Sequence, residues 1–226
     1  MTSVATVVVP VHDGERFLAG ALRSIDDQAL DLEVIVVDDG STDASAAIAD
    51  RLGVTCLRQE QAGPSAARNA GLAAATSDLV AFLDCDDEIP PGTLARQVDR
   101  LAAAPDVDVV MGMQRYEVVG GADLPDWAVT DRVGTSDEVA RPLVFTGLFR
   151  RAVFDRVGVF DEELRLCEDV DWLMRANEAG VPVEVDETVA RVRRIHGANL
   201  TYDTAGLRRA MFEVLGRRAR RKQAAP

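Results

Sequence analysis

The chain has 226 residues, 47% of them hydrophobic and 28% charged, and a formal net charge of −13. That length supports one large domain or two small ones with a substantial core, and the composition excludes a disordered chain. An acidic balance of this size excludes the usual basic nucleic-acid binder. No apolar run reaches the roughly 18 residues that a membrane span needs.

Residues 4–9 are β-branched and small apolar residues closed by Pro10, which predicts a buried strand. A helical pattern opens at Gly14 and Glu15, with Phe17, Leu18, Ala21, Leu22 and Ile25 at spacings of three and four. Residues 32–37 predict a second buried strand, ending in Asp38-Asp39-Gly40-Ser41-Thr42-Asp43. Ser41 or Thr42 is placed to cap the next helix, which carries Ala46, Ile48, Ala49 and Leu52 and stops at Gly53. A short third strand at 54–57, an alanine-rich helix at 65–75 and a fourth strand at 79–83 follow. Continuous apolar strands alternating with amphipathic helices mean a parallel sheet covered on both faces. In such sheets ligands gather at the carboxyl ends of the strands. His12-Asp13, Asp38-Asp39 and Asp84 to Asp87 each follow a predicted strand directly, so three polar strand ends share one rim.

The fourth of these strands delivers Asp84, Asp86, Asp87 and Glu88 into one small volume, with no lysine or arginine among them. Their repulsion is relieved if they splay into water, if some are protonated, or if a divalent cation sits between them. In an extended segment Asp84 and Asp86 point to one side and Cys85 to the other. Oxygen ligands of this kind suit Mg²⁺ or Mn²⁺. An acidic loop or helix cap is the structural alternative.

The second half is less regular. A helix at 93–101 follows Pro90-Pro91-Gly92, and 107–113 and 116–119 read as strands. Residues 123–141 are polar, with Pro125, Trp127 and Gly134, and read as a variable loop. An apolar stretch at 144–149 and a helix at 152–157 precede Cys167-Glu168-Asp169-Val170-Asp171, which opens a helix ending at Gly180. Strands at 183–185 and 188–195 return to the sheet. There is no internal repeat and no linker, so both halves share one continuous sheet. From Leu207 onward seven basic residues and one acidic give +6, leaving −19 on the rest. Leu207, Met211, Phe212 and Leu215 recur there at helical spacing, so the tail reads as a basic amphipathic helix. It either docks its apolar side on the domain or makes weak contact with a membrane surface.

The chain from residue 4 to residue 199 resembles glycosyltransferase family 2. The matching pieces are Val8-Val9-Pro10-Val11-His12-Asp13-Gly14, Val36-Val37-Asp38-Asp39-Gly40-Ser41-Thr42-Asp43 and Gly63-Pro64-Ser65-Ala66-Ala67-Arg68-Asn69-Ala70-Gly71. Phe82-Leu83-Asp84-Cys85-Asp86-Asp87, Val157-Gly158-Val159-Phe160-Asp161-Glu162, Glu168-Asp169 and His196 complete the series in order.

The resemblance implies a GT-A fold, a Rossmann-like αβα sandwich with a mostly parallel central sheet in one continuous domain. That domain would cover 1–202, with a nucleotide-binding half at 1–104 and an acceptor half at 105–202, followed by the basic helix and tail at 203–226. It implies inverting, metal-dependent transfer of a sugar from a nucleoside-diphosphate sugar to an acceptor hydroxyl. Pro10, Val11, His12, Asp13, Glu15 and Asp39 would hold the nucleoside, Asp39 accepting a hydrogen bond from the base. Arg68 would face the diphosphate, its structural alternative being a surface helix arginine. Asp84, Cys85 and Asp86 form the family's Asp-x-Asp motif. Asp86 is implied as direct ligand of Mn²⁺ or Mg²⁺ and Asp84 as ribose or water-mediated partner, while Asp87 can substitute for either.

Asp169 matches the catalytic base and Glu168 a residue that orients the site; their structural alternative is a favourable helix N-terminus. Asp171 should face away from Asp169. His196 would touch the diphosphate or metal, or else be a structural histidine. His12 departs from the aromatic residue more usual at its position. The Gln-x-x-Arg-Trp sequence of processive synthases is absent, so the resemblance implies single transfers onto an acceptor: a glycan, lipid-linked sugar, natural product or peptide. A non-catalytic nucleotide-sugar or carbohydrate-binding module on the same fold is the alternative, and the intact acidic positions argue against it. Three dispersed cysteines and an N-terminus without a basic leader imply the cytoplasm, or the inner face of the membrane if the tail binds there.

Overall fold

The computed structural model describes residues 3–123 and 143–224. Their elements run β1 (Ala5–Val11), α1 (Leu18–Asp26), β2 (Leu32–Asp39), α2 (Ser45–Leu52), β3 (Thr55–Gln59), α3 (Pro64–Ala74), β4 (Leu79–Phe82) and α4 (Thr93–Ala103). There follow β5 (Val109–Val118), β6 (Gly147–Arg150), α5 (Val153–Val157), α6 (Glu168–Glu178), β7 (Val183–Ile195) and α7 (Thr204–Ala224). Seven strands form one sheet in the order β3-β2-β1-β4-β6-β5-β7. The pairings β1–β2, β1–β4, β2–β3 and β5–β7 are parallel, and β6 is antiparallel to both neighbours. The α/β class and the mostly parallel sheet expected from the sequence are both present.

Strand alternation divides the core. Val7, Val9, Val36 and Ala81 face α1, α2 and α4 through Leu18, Leu22, Ile25, Ile48, Leu94 and Leu101. Val8, Val37, Val80 and Phe82 face the opposite way, onto Ala67, Leu72, Phe154 and Trp172. Phe82 sits edge-on to Phe145, Phe149, Phe154 and Phe160 at 5.2–6.3 Å between centroids. These aromatic pairs, each worth about 0.5–1.5 kcal/mol beyond their buried area, anchor the residue from which the acidic segment springs. Pro10 fits inside β1 because β4 ends at Phe82, opposite Val8. The last bond on that side is Leu83 N–H to Val8 O, so the amide that proline lacks falls beyond the ladder.

Three expectations need correction. The two strands expected at 107–113 and 116–119 are one, β5, whose register slips around Met113. The two at 183–185 and 188–195 are likewise one 13-residue strand, β7. The polar residues between each pair stay in the strand, Gln114 and Asp186 buried and Arg115 and Glu187 exposed. Ser41 and Thr42 do not cap α2. Ser41 Oγ accepts from Asp13 N–H, and Asp43 Oδ1 accepts from Ser45 N–H.

Candidate active site

The loops after β1 and β2 are locked to one another. Asp13 Oδ1 accepts from Thr42 N–H, Asp43 Oδ2 from Glu15 N–H, and Glu15 Oε2 from Ala44 N–H. Gly14 is required here, because a Cβ would stand 2.7 Å from Val11 Cγ2 and 2.9 Å from Cys85 Sγ. Two of the three polar strand ends thus serve partly as loop fasteners. Pro10 and Val11 are buried in β1, and Val11 belongs to the core. His12 is exposed, its Nδ1 2.9 Å from Asp39 O and its Nε2 3.0 Å from Gln61 Nε2. Asp39 is buried and accepts from Gln59 Nε2 at 2.7 Å and from the amides of Ala62 and Gly63 at 2.8 Å. Three of a carboxylate's four or so acceptor sites therefore hold the 59–63 loop.

At the end of β4 the three aspartates converge, with one oxygen from each of Asp84, Asp86 and Asp87 within 4.8 Å of the others. What offsets their repulsion includes a component that no local reading of 80–88 supplies: two buried arginines from distant elements. Arg68 of α3 donates to Asp84 Oδ1 at 2.5 Å and to Glu168 Oε1 at 2.6 Å. Arg191 of β7 donates to Asp84 and to Asp87. Its side chain is 3% exposed. Burial opposes ionisation of Asp84, yet Arg191 and then Arg68 outweigh it and hold that carboxyl well below the usual range. Burial dominates at Asp87 and pushes it up to about 7, Arg191 opposing and the Asp86 and Asp84 charges adding.

The Asp86 carboxylate takes no arginine among the described residues, although the residue's backbone oxygen accepts from Arg194 Nε at 2.7 Å. Its Oδ2 lies 3.0 Å from His196 Nε2 and 3.0 Å from Asn199 Nδ2. The His196 ring stacks on Phe17 at 4.3 Å, and Asn199 Oδ1 accepts from His196 N–H. Mg²⁺ or Mn²⁺, with bonds near 2.1 Å, sets adjacent ligands about 3 Å apart. Asp86 Oδ2 and His196 Nε2 lie side by side, an oxygen and an imidazole nitrogen of the kinds a divalent cation takes. Asp87 is 1% exposed with one oxygen on Arg191 and the other on Arg194 N–H, so both its oxygens are engaged by protein.

Glu168 and Asp169 open α6 behind Cys167, which is held at φ 63°, a left-handed conformation that costs a non-glycine residue energy. Burial raises the Glu168 pKa, Arg68 opposes, and the Asp169 charge adds. Asp169 is half-buried and makes no ion pair among the described residues. Asp171 does face away, into Arg175 and Arg221. The guanidinium of Arg68 thus spans the β4 acidic end and the start of α6, bringing the predicted halves of the site together. Arg68 is not a surface residue: its side chain is 4% exposed and lies over the Phe145 ring.

The family profile described as Glycosyl transferase family 2 matches residues 6–159, well over half of the chain. The chain belongs to glycosyl transferase family 2. Among relatives of this transferase family, the succinoglycan biosynthesis protein ExoU of Rhizobium meliloti is 30% identical over 235 residues, covering 92% of this chain and 68% of that protein. The fold matches Staphylococcus aureus TarS 1–349 in complex with UDP-GlcNAc at TM-score 0.74 and 24% identity, over 95% of this chain and 65% of that one. It also matches the mannosyltransferase PcManGT of Pyrobaculum calidifontis in complex with GDP-Man and Mn²⁺ at TM-score 0.74 and 22% identity, over 97% and 65%. Both likenesses place the family 2 fold here in the GT-A type. The chain spans 65%, 56% and 50% of the length of three other curated relatives, and less of several more.

Sequence reasoning missed Arg191, Arg194 and Asn199. An arginine between Ala190 and Val192 in an apolar strand was the available signal for Arg191. Trp127 lies outside the described residues.

Proposed function

We propose that the chain carries the catalytic centre of an inverting, non-processive glycosyltransferase. It would move a sugar from a nucleoside-diphosphate sugar to an acceptor hydroxyl. The observation that carries this reading is the Arg68 bridge from Asp84, at the acidic end of β4, to Glu168, at the start of α6. Support also comes from solved structures of the same fold in complex with UDP-GlcNAc, or with GDP-Man and Mn²⁺.

In this reading Asp86 and His196 hold Mn²⁺ or Mg²⁺, which when bound supplies Lewis-acid neutralisation of the diphosphate. Asp169 takes the proton of the acceptor hydroxyl as its oxygen bonds to the anomeric carbon. The bond from that carbon to the diphosphate oxygen breaks, and the nucleoside diphosphate leaves with the electron pair. Arg68 and Glu168 keep the start of α6 in register with the β4 end. Pro10 to Glu15 and Asp39 line the nucleoside side, and Asp84 meets the ribose.

The test is donor binding and turnover with a panel of nucleotide sugars. Asp86→Ala should abolish metal-dependent nucleoside-diphosphate binding, read as loss of the Mn²⁺-dependent thermal shift. Asp169→Asn should keep that shift and lose transfer. Full transfer by Asp169→Asn would refute the base assignment.

A further inference from the structure

Helix α7 has two faces with different fates. On one, Leu207, Ala210, Met211 and Val214 pack on Leu164, Cys167, Val170 and Met174. Arg217, Arg218 and Arg221 on that side are consumed by Asp161, Glu163, Glu178 and Asp171. Phe212 and Leu215, grouped by spacing with Leu207 and Met211, are not on this docked face. They are 76% and 43% exposed.

The opposite face is a line of exposed residues at steps of four and three: Arg208, Phe212, Leu215, Ala219 and Lys222. Arg209 and Arg220 flank it, also exposed. Arg208, Arg209, Arg220 and Lys222 form no ion pair with any described residue. Two apolar side chains therefore sit between four unspent cations, on a molecule whose remainder before Leu207 carries −19. A second copy is a poor occupant. Paired in parallel, Arg208 would meet Arg208; paired antiparallel, it would meet Lys222.

We propose that this face is a docking surface for an anionic lipid bilayer. Phe212 and Leu215 would enter the interface and the four cations would lie among the headgroups. The acidic body is repelled by the same surface, so the charge separation also sets the orientation: α7 down, body away. The proposal is independent of the catalytic reading.

Truncating the chain before α7 would bare Leu164, Cys167, Val170 and Met174, so substitutions give the cleaner test. The full chain is floated with vesicles of phosphatidylcholine, with and without phosphatidylglycerol. Flotation is expected only with phosphatidylglycerol, and should weaken as salt rises. Arg208→Ser with Arg209→Ser should lower partition about 30-fold, taking roughly fivefold per cation near an anionic surface. Phe212→Ser with Leu215→Ser should lower it at least tenfold, with melting temperature unchanged in both variants. The proposal is overturned by any of three outcomes: no flotation with the anionic vesicles, equal flotation with the neutral ones, or insensitivity to both double variants. It is also overturned if sedimentation shows a dimer that Phe212→Ser dissolves, because the face then belongs to a second copy.

Discussion

Removing the guanidinium of Arg191 would leave Asp87 with no ion-pair partner among the described residues and Asp84 with Arg68 alone, both in a buried pocket. Breaking a buried ion pair from one side typically costs about 3–5 kcal/mol, because the surviving charge stays desolvated. Arg191→Met should therefore lower unfolding stability by that amount in urea titration. Adding Asp87→Asn should recover part of the loss, a coupling that an independent pair of sites would not show. Gln114 carries the opposite expectation. It is fully buried in β5, and neither of its amide atoms has a partner among the described residues. An unmade buried hydrogen bond costs about 1–3 kcal/mol. Gln114→Leu should thus raise the urea midpoint without altering the slope.

Helix α3 shows how an element transmits packing to the site. A Cβ on Gly71 would run into Val8 Cγ1 and stand 3.2 Å from Val37 Cγ2, both on stiff β-branched side chains. Gly71→Ala should cost about 1–3 kcal/mol by overpacking. It should also push away the helix that carries Arg68 one turn earlier, so donor affinity should fall at temperatures where the protein remains folded. Isothermal titration with a nucleoside diphosphate and Mn²⁺ measures that loss. Elements of this kind were largely legible in the sequence. β1, β2 and β4 are mostly apolar because both faces of a parallel sheet are covered, and α1 to α4 keep one apolar face each. β5 and β7 were read as broken because their exposed residues interrupt the apolar pattern; Glu187 and Thr188 are exposed within β7 yet remain in the strand. Asp84, Asp86 and Asp87 were legible as a group because they fall within four residues. Arg191 was not, since its partner Asp84 is 107 positions away and no short window contains both.

At the scale of the whole molecule, α7 is a buttress for the start of α6. Arg221 reaches Asp171 at 2.9 Å and Glu178 at 3.1 Å, and Val214 is wholly buried against Leu164 and Cys167. A chain ending at residue 203 should lose amide-exchange protection in α6 before it loses any in β1 or β2. The arginine bridges carry a further consequence, one of timing. A chain emerges from the ribosome amino end first, and its early half begins to fold before the rest exists. Asp84 and Asp87 emerge 107 and 104 residues ahead of Arg191, the arginine that bridges them. The central strands β1, β2 and β4 can assemble early, yet their acidic end stays open and hydrated until β7 pairs with β5. The site therefore closes only once β7 has been made, and a nascent chain stalled before Arg191 would hold the central strands with no finished centre.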